Sequence, residues 1–173
     1  SMTTRRIMRM MVERFQSKVS PEMIRQAAQK GLNVHQFVTF ASLVGKESGC
    51  AAEKPLIAAV FYNRLKKGMP LQSDPTAVYD LKNFKGKVMR SHYKRESPYN
   101  TYLIRGLPPG PIASPGLDSF QAVLQPAAVD YLYFVSKGDG THHFSSSLMA
   151  HNDATVRFRN MINRKEKVEE TVR

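Results

Sequence analysis

"FVTFASLVGKESG", residues 37–49, is apolar for most of its length and then carries a carboxylate near its end. Read as a helix, it spaces Phe37, Phe40, Ala41, Val44 and Glu47 three or four residues apart on one face, with Ser48 beside them and Lys46 pointing away. Glu47 then continues the stripe that must be buried. Carboxylates are rarely buried unless paired, and burial raises their pKa, the condition a general acid needs. The plainer alternative is a helix ending at Gly49 with Glu47 at the surface, and this stretch alone leaves both open.

Upstream, "TRRIMRMMVERFQSK" (4–18) sets Ile7, Met10, Met11, Phe15 and then Val19 roughly on one side, with arginines on the other. This predicts an amphipathic helix, expected to be the first helix of the core rather than a segment lying on a membrane. Ser20-Pro21 supplies a cap and a proline at the first helical position, opening a second helix that ends at Gly31. Asn33 is placed to cap the helix carrying Glu47. Beyond it, "AAEKPLIAAVFYNRLKKG" (51–68) is a fourth helical pattern with Leu56, Val60 and Leu65 on one face, Pro55 in the first turn and Gly68 as its stop.

A chain of 173 residues fits one domain with a sizeable core. Its 26 Lys and Arg against 14 Asp and Glu give a net charge of +12, which favours nucleic acid, an anionic membrane or a cell-wall polymer as partner without choosing among them. Cys50 is the single cysteine, which excludes an internal disulfide and a cysteine-built zinc site. No apolar run approaches the ~18 residues of a membrane span, and no apolar stretch follows the basic start as in a signal peptide. Ser1 before Met2 reads as a scar of tag removal, so the chain is expected to be a soluble piece of a longer protein.

Residues 69–116 hold seven of the ten prolines together with Tyr79, Tyr93, Tyr99 and Tyr102, and predict a long irregular region with short helical or extended pieces. Such loops are uncommon in compact domains unless functional. Within it, "LPPGPIASPG" (107–116) is stiff and poor in backbone donors, and fits a rigid wall of the groove above Glu47. "LDSFQAVLQPAAVD" (117–130) predicts a short helix stopped near Pro126, "YLYFVSKGDGTHHFSSS" (131–147) a β-hairpin, and the tail from Leu148 a polar helix that frays through residues 165–170.

The residues that look costly to keep are Glu47, Asn63-Arg64, Gln72-Ser73-Asp74, Tyr99-Asn100-Thr101-Tyr102 and His142-His143, hydroxyl, amide and aromatic groups of the kind that hold a sugar chain. Taken singly, each has a structural explanation. Asp74, for example, precedes Pro75 and is placed to cap a short helix. Asp139, His142, His143 and His151 could ligate zinc, but strand neighbours point to opposite faces and no H-x-x-x-H pair exists, so no metal is expected. The basic residues run from Arg5 to Arg173 without a compact basic-aromatic module, zinc finger or phosphate-cradling loop, and there is no G-x-S-x-G elbow.

Five stretches taken together, "FASLVGKESG", "PLIAAVFYNRLKKGMPLQSDPTAVY", "SPYNTYLIRGLPPGPIASPG", "PAAVDYLYFVSKGDGTHHFS" and "HN" at 151–152, resemble in order the endolytic murein transglycosylases, the MltG/YceG-like proteins of bacterial cell-wall assembly. The resemblance covers about residues 35–160. It implies an α+β fold, a mainly helical, lysozyme-like catalytic core with a long Pro/Gly-rich groove region and a small β-hairpin, as a single catalytic domain spanning 1–173. It also implies a membrane anchor and a LysM-like subdomain in the parent protein that this chain lacks, and a place on the outer face of the bacterial membrane.

The family's catalytic glutamate falls on Glu47, while Gly45 stands where the family usually has another glutamate. The resemblance marks Asn63, Gln72, Asp74, Tyr99, Asn100 and Tyr102 as groove-lining, substrate-binding residues. His143 and Ser145 join them through a "GGH-x-F-S"-like piece in which Thr141 replaces a glycine. It implies a lyase needing no cofactor, whose substrate is the glycan strand of peptidoglycan, cut to leave 1,6-anhydro ends. Its expected neighbours are the peptidoglycan synthases (penicillin-binding proteins), with no nucleic-acid partner. The rival reading is a non-catalytic module binding peptidoglycan or nucleic acid, in which Glu47 serves structure.

Overall fold

In the computed structural model of the protein, residues 3–171 are described, with side chains through Ile162; Ser1 lies outside them. The helix read from residues 37–49 is α3 (Val34–Glu47), and it is the centre of the packing. Asn33 Oδ1 accepts the Gln36 N–H at 2.9 Å while Gln36 Oε1 accepts the Asn33 N–H at 3.0 Å, a reciprocal cap that fixes where the helix begins. Phe37, Phe40, Ala41, Leu43 and Val44 are fully buried, each large side chain worth roughly 1.5–3 kcal/mol in transfer from water.

Around α3 pack α2 (Pro21–Gln29), α4 (Lys54–Lys66) and α7 (Leu117–Leu124). Phe37 meets Phe120 edge-on at 5.0 Å, and Phe40 lies 4.6 Å from the Tyr62 ring and 6.2 Å from Phe61. Lys54, nearly buried at the start of α4, reaches Asp118 of α7 at 2.6 Å. A 3₁₀ turn (Ala51–Glu53) precedes α4. The buried face of α4 is Ile57, Val60, Phe61 and Arg64, a 3.6-residue stripe; the expected Leu56 and Leu65 flank it half-buried.

One expectation fails outright. Helix α1 (Thr4–Lys18) forms as predicted but is not a core helix, since none of its residues is buried. Met8, Met11 and Val12 are more than half exposed, and Phe15, edge-on to Phe120 at 6.0 Å, is its anchor to the core cluster. Amphipathicity made the helix legible but could not say whether anything covers its apolar face.

Gly45, inside α3, shows how tightly α7 is seated. A Cβ there would lie 2.9 Å from Ser119 Oγ, a buried hydroxyl with no hydrogen-bond partner among the described residues. Gly45→Ala is therefore expected to destabilise the fold by about 1–3 kcal/mol through overpacking. Ser119→Ala should be neutral or stabilising by about 1 kcal/mol, because it deletes an unsatisfied polar group. The double variant should be at least as stable as the wild type, since the obstacle is gone and alanine is the better helix former. Urea denaturation of the four proteins measures this non-additivity.

Residues 69–116 are irregular apart from α5 (Asp74–Val78) and α6 (Arg90–Tyr93). The stiff stretch 107–116 packs on α3 ahead of Glu47. Its carbonyl at Pro109 meets His35 Nε2 at 2.7 Å and its Ile112 N–H donates to Ser42 Oγ at 3.0 Å, so it lies along the earlier turns of α3. There it bounds a different groove, of about 840 Å³, that opens beneath α1 among Ile7, Met10, Met11, Phe15, Pro111 and Leu117.

The chain closes with β1 (Tyr133–Ser136) and β2 (His142–Ser145), antiparallel with Val135 opposite His143, and with α8 (Leu148–Thr171) packed on the hairpin. Helix α8 is continuous to Thr171, through the residues expected to fray.

Candidate active site

Glu47 is the last residue of α3, where Ser48 turns extended and the helix stops. It is half-buried at the end of the apolar stripe, which sets its carboxyl in a desolvated place. Burial pushes its pKa up to about 7; Ser73 pulls it down by a hydrogen bond, the Asp74 charge raises it, and Lys46 lowers it slightly. Ser73 Oγ donates to Glu47 Oε1, which leaves Oε2 to carry a proton.

Ser73 is held with unusual redundancy. Its N–H donates to Thr101 Oγ1 at 2.9 Å, its carbonyl accepts from Thr76 Oγ1 at 2.6 Å, and the two threonine hydroxyls meet at 2.8 Å, all buried. The preceding residue, Gln72, adopts φ 53°, a left-handed backbone that a non-glycine residue takes only when its surroundings impose it. Its N–H is tied to the Thr101 carbonyl at 3.0 Å and its Oε1 accepts from Arg64 Nη1 at 3.0 Å.

Arg64 is the buried organiser behind this loop. From α4 it donates to the carbonyls of Pro70 and Leu71 and, through Nε at 2.6 Å, to Leu132, joining the Ser73 loop to the start of the hairpin. The sequence signal for its burial is an arginine in the apolar phase of a helix; its partners, distant carbonyls, leave no such signal.

Asp74 lies exposed beside Ser73 and is not a helix cap. The N-cap of α5 is Ser73, and the Asp74 carboxylate turns outward to two phenols, accepting from Tyr102 OH on Oδ1 and from Tyr93 OH on Oδ2 at 3.2 Å. The two rings stack at 4.2 Å. Glu47, Ser73, Asp74, Gln72, Tyr93 and Tyr102 thus form one polar and aromatic cluster.

Other expected site residues sit elsewhere or face inward. Asn63 gives both amide hydrogens, at 2.9 Å each, to the carbonyls of Val129 and Tyr131, so it fastens α4 to the segment before β1 and has none left for a sugar. Asn100 is fully buried and donates to the carbonyls of His92, Tyr93 and Arg95, closing α6. The cause of both sets of bonds is common: irregular backbone leaves carbonyls that need donors. Tyr99 packs its ring on Tyr79 at 4.8 Å, with Gly110 against its hydroxyl. His143 turns to α8, 5.8 Å from Phe158, and Ser145 is buried in β2.

The histidine on the other face of the strand is the one tied to the α3 terminus. Glu53, from the 3₁₀ turn just beyond Glu47, accepts the His142 N–H and Nδ1 at 2.8 Å each, and Ser48 Oγ at 3.4 Å. Burial alone would raise Glu53, but these bonds outweigh it and hold its carboxyl below the usual range. With His142 on Glu53, Asp139 on Thr141, His143 on Phe158 and His151 stacked on Tyr133, the four groups considered for zinc are committed separately. No three His, Cys, Asp or Glu side chains converge among the described residues.

The groove beneath α1 is mainly apolar and includes neither Glu47 nor Asp74. It lacks the convergent polar groups that chemistry on a sugar needs, so the cluster around Glu47 is the candidate site.

The chain matches known proteins over most of its length. Residues 1–157 match the family described as YceG-like. An endolytic murein transglycosylase of Bacillus subtilis (strain 168) is 46% identical over 127 residues, which cover 73% of this chain and 35% of that protein. One from Streptococcus pneumoniae serotype 2 (strain D39) is 40% identical over 116 residues, 62% of this chain and 20% of the other. The crystal structure of a yceG-like protein from Listeria monocytogenes aligns with a TM-score of 0.80 at 38% identity, over 88% of this chain and 49% of that one. The chain therefore spans only a fifth to a half of the length of these relatives.

Proposed function

Since this chain belongs to the YceG-like family, we propose that it is the catalytic part of an endolytic murein transglycosylase, cutting glycan strands of peptidoglycan between N-acetylmuramic acid and N-acetylglucosamine. The observation that carries this reading is Glu47, a carboxyl with a pKa of about 7 at the edge of a polar-aromatic cluster. Near neutral pH it populates both the form that gives a proton and the form that takes one.

Protonated Glu47 donates to the glycosidic oxygen. The bond from that oxygen to the muramoyl anomeric carbon breaks, and the N-acetylglucosamine leaves with a free 4-hydroxyl. The muramoyl 6-hydroxyl oxygen then bonds to the anomeric carbon and passes its proton to the Glu47 carboxylate, which restores the acid. The product end is 1,6-anhydromuramic acid, and water is not consumed. Ser73, which donates to Oε1, steadies the carboxylate during the half of the cycle in which it is charged.

A basic chain, +12 overall, suits a polymer bearing peptide carboxylates. No helix among the described residues is long and apolar enough to cross a membrane; in this reading the anchor and the approach to the peptidoglycan synthases, on the outer face of the membrane, belong to other parts of the full-length protein. Incubation with purified glycan strands followed by mass spectrometry tests the chemistry. The expected new ends are lighter by one water than hydrolysed ends, and a predominance of reducing muramic-acid ends would overturn the mechanism.

A further inference from the structure

Residues 81–95, "LKNFKGKVMRSHYKR", hold six Lys and Arg and no Asp or Glu, against a net charge of +12 over all 173 residues. The segment is tied down from within. Asn83 and Gly86 turn the chain at φ 57° and 115°, the Phe84 ring lies edge-on to His92 at 5.2 Å, and His92 Nδ1 accepts the Met89 N–H at 2.9 Å. The buried Asn100 amide holds the carbonyls of His92, Tyr93 and Arg95, and Arg95 reaches back to Asp80 and to the Ala77 carbonyl of α5 at 3.2 Å. Asp80, the acid just before the segment, is thereby taken by Arg95 and by Ser97, whose hydroxyl donates to it at 2.8 Å. Lys82, Lys85, Lys87, Arg90 and Lys94 are exposed, and none forms an ion pair among the described residues, with Glu96 or with any other acid.

The place of this run is set by α6. Tyr93, its last residue, donates to Asp74 at 3.2 Å and stacks on Tyr102 at 4.2 Å, so the basic segment borders the polar and aromatic cluster that carries Glu47. A run of like charges repels itself, and no acid among the described residues offsets these five. We propose that residues 81–95 form a subsite for the peptide stems of the glycan strand, in which Lys82, Lys85, Lys87, Arg90 and Lys94 bind carboxylates of the peptide carried by a muramic acid in the cleft. This rests on the transglycosylase reading above. The anionic groups of such a strand sit mainly on its stems, so cations at the rim of a sugar cleft meet them where a stem projects. Four of the five are lysines, point charges on flexible chains, which suit carboxylates at differing places along a mobile peptide better than a fixed guanidinium fork would. A nucleic acid or an anionic membrane would attract the same cations, but neither accounts for their position beside Glu47. The stem charges do not change as the glycosidic bond breaks. These contacts are therefore equally strong in ground and transition state, and they act on KM rather than kcat.

The test compares wild type, a Lys82→Gln/Lys85→Gln/Lys87→Gln variant and its counterpart with arginine at the three positions, on strands bearing their stems and on strands freed of them by an amidase. With stems present, the glutamine variant should show a KM about 10-fold higher with kcat within about 2-fold and the same product masses. Arginine should bring KM back to within about 2-fold of wild type, since it keeps the charge. On stem-free strands the three proteins should share one KM, and added salt should narrow the gap seen with stems, because exposed ion pairs are screened. The three glutamine substitutions placed in Glu47→Gln should also weaken the binding of labelled stem-bearing strands by about 10-fold, a readout free of turnover.

An unchanged KM of the glutamine variant on stem-bearing strands, or an equal loss on stem-free ones, would overturn the subsite. So would an unchanged KM joined to binding of phosphatidylglycerol vesicles by wild type and not by the variant, which would make the segment a membrane contact. A wild type that releases no anhydro ends would instead overturn the functional reading; the binding arm separates the two, since binding that needs both the stems and the three lysines supports the subsite regardless of turnover.

Discussion

Replacing Glu47 by glutamine is expected to lower the release of anhydro ends by at least ~10²–10⁴-fold, the usual contribution of a positioned acid–base group, while glycan binding persists. The amide has nearly the same shape and can still accept from Ser73 Oγ, so the loop it touches should stay in place. In the wild type, turnover should fall as pH rises through about 7, because the starting form is the protonated acid.

Stability gives an independent reading of the same group. The folded-state pKa of about 7 lies above the ordinary value of 4.5, so the native protein binds this proton more tightly than the unfolded chain does. The stability Glu47 lends is complete below pH 4.5, declines between there and 7, and is gone above. Glutamine shows no such decline. Denaturant melts should therefore find Glu47→Gln gaining on the wild type between pH 4 and pH 8, by on the order of 3 kcal/mol. A variant that turns over normally, or whose advantage does not grow with pH, would refute the assignment.

Arg64→Met is expected to cost the fold about 3–5 kcal/mol, the range for breaking a buried charged network. The methionine stem replaces some packing, but the carbonyls of Pro70, Leu71 and Leu132 lose their donor inside the protein. Arg64→Lys should recover less than half of the loss, because one ammonium cannot span acceptors on both the Ser73 loop and the hairpin. Chemical denaturation measures both. Turnover per folded molecule should also drop, since Gln72 loses its restraint and Ser73 follows it directly in the chain.

What could be read from residues alone follows from the range of the interactions. The α3 stripe and Glu47 at its end were legible because a 3.6-residue period is written locally, as were the Ser20 and Asn33 caps. The roles of Arg64, Asn63 and Asn100 were not, because they are bonds from side chains to distant carbonyls, Arg64 to Leu132 and Asn63 to Tyr131 among them. Such bonds leave no spacing to detect. His142 and His143 show a subtler limit: in a strand one residue of register exchanges the two faces, so a motif placed one position off points to α8 rather than to Glu53. Asp74 was marked as a site residue, yet its partners Tyr93 and Tyr102 come from 19 and 28 residues away.

Helix α1 carries a consequence for how the molecule opens. A 15-residue helix with no buried residue is near the limit at which an isolated helix persists in water, and Phe15 is its principal grip on the core. Its opening is therefore a sub-global event, separate in free energy from unfolding of the bundle around α3. Its amides exchange with solvent through that small opening, while those of α3 exchange only when the whole core comes apart. The protein thus behaves as two cooperative units of unequal strength, and the weaker one carries a basic, methionine-rich surface that can rearrange without disturbing the geometry at Glu47.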